Sequence, residues 1–335
     1  MSSGFIEQKM SIKVVIYDQK WFAEVEWLRR LLHGMEIECV SYATQGKVAE
    51  NSLFVCLQLG SLSPRLLDEI SQTRGVVLYH VGDEWYRQPT QAYRSFSHVI
   101  RNFYHPGLVH PGISQLPLGP CRDTRLAGAP RPILERKNIW SFAGYVTSTR
   151  AAMMNALEEL TPHVGYAIGG VRTVLPLLEP ARYLELLHDS MFAPCPMGNV
   201  NLECFRLYEA LDSGAIPIVE TRPWLNYFEK LLGPHPLPAV NCWSEAPGLM
   251  RALMTDSDAL VRKQQEIRDW WINCQDRLRQ DLTVILERAH NCAKRPLAAT
   301  PLPGRWRGAL ELLRHHNGEA LKTRVKLTCK RFLVR

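Results

Sequence analysis

The 335-residue chain is 46% hydrophobic and 22% charged, a balance that excludes intrinsic disorder and is long enough for two domains of ordinary size. No run approaches the roughly 20 apolar residues of a membrane span. The apolar stretch Ile12–Tyr17 is too short for a signal peptide and reads as a strand. Net charge is +7, but residues 322–335 carry six cations and no acid, so the body is nearly neutral. A nucleic-acid-binding surface on the fold is therefore not expected. Nine cysteines occur with no Cys-x-x-Cys pair and no zinc-like spacing, which fits a reducing, cytoplasmic compartment.

The first half alternates strands and helices. Ile12–Tyr17 is a strongly apolar strand, and Trp21–His33 carries apolar residues at helical spacing, closed by Gly34. Glu36–Tyr42 and Leu53–Leu57 are strands, Pro64–Gln72 a helix, and Gly75–Val81 another strand. This alternation predicts an α/β domain with a mostly parallel sheet. No Gly-x-Gly-x-x-Gly follows the first strand, so no dinucleotide cofactor is indicated. The loop after Val81 holds Asp83 and Glu84, followed by Trp85 and Tyr86. At a carboxyl strand end these acids are candidate general bases; equally, either one could cap a helix running toward Tyr93. Ser97–Arg101 is a further strand with His105 just beyond it, held extended by Pro106. Gly119–Arg136, rich in Pro, Gly and charge, is the expected interdomain linker.

The second half begins with the strand Asn138–Phe142, a tight turn at Ala143-Gly144, and a helix entered through Thr147–Arg150. A strand–glycine–helix entry of this kind offers backbone N–H groups to a diphosphate. Val164–Gly169 is the next strand. Then comes the densest stretch, Tyr183–Val219: a short amphipathic helix, an apolar strand end at Met191–Pro194, and a loop broken by Pro194, Pro196 and Gly198. A helix over Glu203–Ser213 follows, ended by Gly214, and then the strand Ala215–Val219. This is a βαβ crossover with a helix N-terminus at a carboxyl strand end, a place that favours phosphate. Arg206 and Glu209 share a helix face; they are either a diphosphate contact and a ribose contact or an i,i+3 surface ion pair. Glu220, Thr221 and Arg222 lie at the next carboxyl strand end, where base or sugar contacts would fall. Helices are expected over Trp224–Leu232, from Ser244 to Met254, over Asp256–Cys274 with the helical course continuing over Asp276–His290, and last over Trp306–His315. The Trp270-Trp271 pair reads as core.

Ser190–Phe192, Cys195–Gly198, Arg206–Leu211 and Gly214–Val219 stand in the order and spacing of the donor-binding segment of exostosin-like glycosyltransferases. The chain resembles that family closely over roughly a tenth of its length, and more loosely, over residues 75–290, the related ribitol xylosyltransferases. Cys204 departs from the pattern, which has Ser there. The resemblance implies a GT-B type α/β protein, two Rossmann-like domains facing a cleft, with residues 1–125 on the acceptor side and 136–295 on the sugar-nucleotide side. Residues 296–335 would be a C-terminal helix and basic tail. It implies transfer from a nucleoside diphosphate sugar, most simply a UDP-sugar, to a glycan, polyol-phosphate or lipid-linked acceptor, with inversion. Gly144, Arg150, Pro196, Gly198, Arg206, Glu209 and Glu220 would bind the donor; Asp83, Glu84 or His105 would take the acceptor proton. No cofactor beyond the donor is expected. No Asp-x-Asp metal clasp is assigned, so arginines and helix dipoles are expected to take the role of a metal. The tail is expected to attract an anionic membrane surface rather than nucleic acid. An epimerase-like sugar-nucleotide enzyme and a non-catalytic scaffold remain as alternatives.

Overall fold

The computed structural model describes residues 11–17, 23–121, 129–146, 149–168, 178–291, 297, 302, 310 and 313–315. The basic segment 322–335 and the expected Gly169-Gly170 turn lie outside them. The chain divides into two compact units, Met1–Leu116 with Gln275–Gly308, and Pro117–Cys274 with Ala309–Arg335.

The first unit holds a six-stranded parallel sheet of β1 Ser11–Ile16, β2 Glu36–Ser41, β3 Ser52–Cys56, β4 Val77–His80, β5 His98–Arg101 and β6 Ile113–Gln115, in the order β2-β1-β3-β4-β5-β6. Every residue of β3 and β4 is buried. That is the signature of central strands covered on both faces, and it explains why they read as unbroken apolar runs. Helices α1 Ala23–Leu31, α2 Tyr42–Gln45 and α3 Pro64–Gln72 belong to this unit. Ser63 caps α3 by accepting from the Leu66 N–H, and Leu66 and Ile70 turn inward onto Phe54, Tyr93 and Phe96. No α-helix follows Asp83. Tight turns lead instead to a 3₁₀ segment at Thr90–Ser95.

The second unit holds β7 Asn138–Tyr145, β8 His163–Ile168, β9 Ser190–Cys195, β10 Ile216–Glu220 and β11 Ala239–Val240 in the order β11-β10-β9-β7-β8, again all parallel. Its helices are α4 Arg150–Leu157, α5 Pro180–His188, α6 Phe205–Ser213, α7 Tyr227–Leu232 and α8 Ala246–Met254. Gly214 ends α6 with φ +70°, and a Cβ there would lie 2.5 Å from the Pro130 side chain. Both the left-handed cap and the crowding demand glycine. Beside it the buried Arg136 donates to the carbonyls of Leu187, Ser190 and Ser213, tying the ends of α5 and α6 to the start of β9. Burial lowers its pKa to about 10.

The helical run expected over Asp256–Cys274 does continue past Cys274, as one helix. Helix α9 runs unbroken over Ser257–Asn291, and the boundary between the units falls inside it. In its first half Trp271 is buried beside Tyr208 of α6 and donates to Asp212. In its second half Gln275 accepts from Arg30 and Arg279 donates to the Leu31 carbonyl. Trp270 half-buries its ring and donates to Pro234 O, so the pair is packing, as expected.

Candidate functional site

The second sheet reverses its strand order between β7 and β9, since β8 flanks β7 on the other side. Open α/β sheets place ligands at the carboxyl ends of strands at such a point. β7 ends at Gly144-Tyr145, and β9 ends at Cys195, from which Pro196–Cys204 leads into α6. The expected turn at Ala143-Gly144 is absent, because β7 continues through both residues. Gly144 is needed for another reason. Its φ is +152°, and a Cβ there would come within 2.9 Å of Arg206 Nη2.

Arg206 is the second residue of α6. Its guanidinium lies over the Phe142 ring, 4.1 Å from the centroid, and Nη2 donates to Ala143 O. Its Nε is buried and makes no hydrogen bond among the described residues. Glu203, expected inside this helix, precedes it in the loop, so Arg206 falls in the first turn, next to the N-terminal N–H groups. Arg150 opens α4 and donates from Nη1 to Tyr145 O at 2.8 Å. A guanidinium in the first turn opposes the helix dipole, and the β7 carbonyl offsets part of that cost. Two cations on two helix starts thus converge on the end of β7.

Glu209 sits one turn along α6, 5% exposed, and accepts from the Tyr183 hydroxyl at 2.6 Å. Burial and the adjacent Glu209 push the Tyr183 hydroxyl pKa well up, so it stays a donor. The tyrosine escaped notice because its place in an amphipathic helix explained it as packing. Cys195 and Cys204, both buried, face one another across the loop. Cys195 Sγ donates to Ala193 O at 3.2 Å; the proximity of Cys195, with Arg206 and Arg150, lowers the Cys204 pKa, while burial raises that of Cys195.

Glu220 does not present an oxygen to a donor. It is fully buried: Oε1 accepts from Arg222 Nη2 at 2.6 Å, and Oε2 accepts from Thr149 Oγ1, the Met197 N–H and Trp243 Nε1. All its acceptor capacity goes to bracing the loop after β9 against the start of α4. Pro196 and Gly198 are buried in that loop, and Gly198 N–H donates to Asn201 O at 2.7 Å. Glu203, 1% exposed, closes the loop by accepting from the Tyr208 and Tyr227 hydroxyls and the Leu118 N–H. Burial raises its pKa to about 7. The expected helix start at Glu203 gives no hint of this acceptor role; the signal in the sequence is an acid set among apolar residues.

The three candidate bases belong to the first unit, at the carboxyl ends of β4 and β5. Asp83 is 7% exposed, and its Oδ1 accepts from the Arg87 and Gln88 N–H groups in the turn after β4; with no α-helix there, this is not the helix cap that competed with catalysis. Its Oδ2 lies 3.8 Å from Arg101 Nη2. Burial raises the Asp83 pKa, against the opposing pull of Arg101. His105 is 2% exposed, accepts from the Gly107 N–H at Nδ1, and meets the Tyr86 ring edge-on at 4.8 Å. Arg101 lies 5.4 Å from the same ring. Glu84 is half-buried, the most accessible of the three. His80, buried and bonded to the Tyr93 hydroxyl, is held neutral by burial and by Arg101.

Against the expectation of no such motif, the sequence holds one Asp-x-Asp triplet, Asp256-Ser257-Asp258. Asp256 Oδ1 accepts from the Asp258 and Ala259 N–H groups at 2.9 and 3.0 Å, so the first acid is the N-cap of α9.

Residues 134–290 match the model of the RXYLT1 C-terminal domain family. Ribitol-5-phosphate xylosyltransferase 1 of Mus musculus is 25% identical over 280 residues, covering 77% of this chain and 61% of the relative. The Homo sapiens protein of the same name is 28% identical over 200 residues, covering 57% and 43%. The chain thus spans about three fifths or less of the length of these relatives. The looser resemblance to ribitol xylosyltransferases, expected over residues 75–290, is the one these matches bear out. Among solved structures, an alpha1,3-fucosyltransferase with GDP superposes with a TM-score of 0.52 at 11% identity, covering 90% of this chain and 96% of that one. The same enzyme with GDP-fucose gives 0.50 at 14%, covering 86% and 94%. At such identity the likeness concerns the fold, which is of the GT-B type expected. Among the described residues no helix is long and apolar enough to cross a membrane.

Proposed function

We propose that this chain, whose residues 134–290 match the RXYLT1 C-terminal domain model, is a glycosyltransferase that moves a sugar from a UDP-sugar to a glycan or polyol-phosphate acceptor. Arg206 carries the reading. It stands in the first turn of a helix at the switch point of the sheet, with a buried Nε that has no hydrogen-bond partner among the described residues. Arg206, Arg150 and the N-terminal N–H groups of α6 would meet the charge that develops on the leaving diphosphate. Charge stabilisation of this kind is usually the largest catalytic contribution. Since these cations neutralise the leaving group, the reading requires no metal. Glu209, with Tyr183 fixing one oxygen, leaves carboxylate lone pairs for a ribose hydroxyl. Of the three candidate bases, Glu84 is the most accessible and takes the acceptor proton in this reading. A single displacement inverts the sugar carbon.

The test is a thermal-shift and calorimetric panel of UDP, GDP, ADP and their sugar conjugates. A ligand at 100 times its Kd stabilises the native state by about 2.7 kcal/mol. UDP should raise the melting temperature of the native chain and bind Arg206→Ala about tenfold or more weakly, the loss expected for a charge-assisted contact. If no nucleoside diphosphate shifts the transition, the proposal fails.

A further inference from the structure

Trp224 and Arg222 follow β10, and Leu202 lies in the loop between β9 and α6. All three are held by one short piece of the C-terminal chain. Leu202 N–H donates to His315 Nδ1 at 3.3 Å, Arg222 Nε donates to His315 O at 3.0 Å, and Trp224 Nε1 donates to Arg314 O at 2.9 Å. The His315 ring meets Tyr227 edge-on at 5.2 Å, and the Tyr227 hydroxyl donates to Glu203 in the same loop. His315 is 1% exposed, although it lies 113 residues from Leu202 in sequence.

Buried backbone N–H groups are almost always paired, because an unpaired one loses its hydration with nothing in return. The Leu202 N–H stands two residues before the Cys204 N-cap and takes its acceptor from His315. This bond requires Nδ1 to be unprotonated, which places any ring proton on Nε2. Glu220 grips the front of the same loop at Met197, Glu203 grips its end, and His315 grips the middle.

We infer that His315 is a positioning residue for the nucleotide site: through Leu202, Tyr227 and Arg222 it holds the loop before α6 in the geometry that aims the α6 N-terminus at a phosphate. This rests on the reading of that loop as the diphosphate-binding element. The inference makes the C-terminal segment part of the donor site without its touching the donor. Ordering a loop in advance strengthens binding by removing the cost of ordering it on contact.

The test uses the full chain with His315→Ala and His315→Asn. Asparagine can place its carbonyl oxygen near the position of Nδ1, so it separates the acceptor from ring packing. Hydrogen exchange of peptides covering 196–204 is the first readout, and calorimetric UDP affinity the second. His315→Ala should raise exchange in this loop selectively and weaken UDP binding about three- to tenfold, with His315→Asn recovering most of both. Unchanged exchange in the loop overturns the inference whether or not UDP binds. Raised exchange with unchanged UDP affinity reduces His315 to a structural strap and also overturns it. Failure of the unsubstituted chain to bind UDP, with a loop loosened by His315→Ala, refutes the diphosphate assignment and with it the positioning role, while unchanged exchange refutes the brace alone.

Discussion

Gly144→Ala tests whether Arg206 is seated by β7. The added Cβ would lie 2.9 Å from Arg206 Nη2, closer than a methyl and a nitrogen can approach, and at φ +152° an L-residue is strained in any case. The obstructing atom is the tip of a flexible side chain, so the guanidinium moves rather than the strand. Leaving its seat costs the bond to Ala143 O and the stacking on Phe142, about 1.5–3 and 0.5–2 kcal/mol in isolation. Solvent reclaims part of this, and backbone strain adds about 1–3 kcal/mol. A net loss of about 2–3 kcal/mol in urea denaturation is expected. UDP affinity, measured by calorimetry, should fall about tenfold. The decisive comparison is a double-mutant cycle with Arg206→Ala. If Gly144 acts by seating Arg206, the double variant should bind UDP no more weakly than Arg206→Ala alone, whereas independent sites add within about 0.5 kcal/mol. Native UDP affinity in Gly144→Ala, or additive losses in the cycle, would refute the argument.

Glu209→Gln keeps an oxygen for the Tyr183 hydroxyl, so thermal stability should hold while UDP affinity drops about tenfold; a variant that melts early yet binds normally would make Glu209 a structural partner of Tyr183. Glu220→Gln replaces an oxygen by a donor among four donors and strands a buried guanidinium, so a loss of about 3–5 kcal/mol in denaturant unfolding is expected; a loss under 1 kcal/mol contradicts the bracing role. Glu203 has a folded pKa of about 7 against 4.5 in the unfolded chain. The folded state therefore holds the proton that the unfolded state has released, and this contribution to stability is full below pH 4.5 and lost as pH rises through about 7. Up to about 3 kcal/mol follows from the shift, and the decline should vanish in Glu203→Gln; an unaltered pH profile in that variant would exclude Glu203. Among Asp83→Asn, Glu84→Gln and His105→Ala, Glu84→Gln should slow transfer about 10²–10⁴-fold while sparing UDP binding, and a modest effect in a transfer assay would move the base elsewhere.

Local pattern was enough for the architecture. Alternating apolar strands and amphipathic helices announced two parallel sheets, and Gly214 announced the end of α6. The string from Ser190 to Val219 carried the family resemblance because it is one contiguous βαβ unit whose residues touch their sequence neighbours. Gly144 was noticed for a turn that does not exist. Its need arises from Arg206, 62 positions away, whose side chain fills the space of a Cβ. Glu220 was placed on the ligand side because it ends a strand, yet Thr149, Met197, Arg222 and Trp243 converge on it and consume its acceptors. Asp83 reads equally as a helix cap or a base in the sequence; the fold puts no α-helix after it, and its Oδ1 binds the turn at Arg87 and Gln88 instead. His315 had no sequence signal at all. Periodicity reports which face of an element is buried, since burial follows from the geometry of that element alone. The partner that a buried polar group finds depends on which distant segments pack against it, and that was decided only by the tertiary structure.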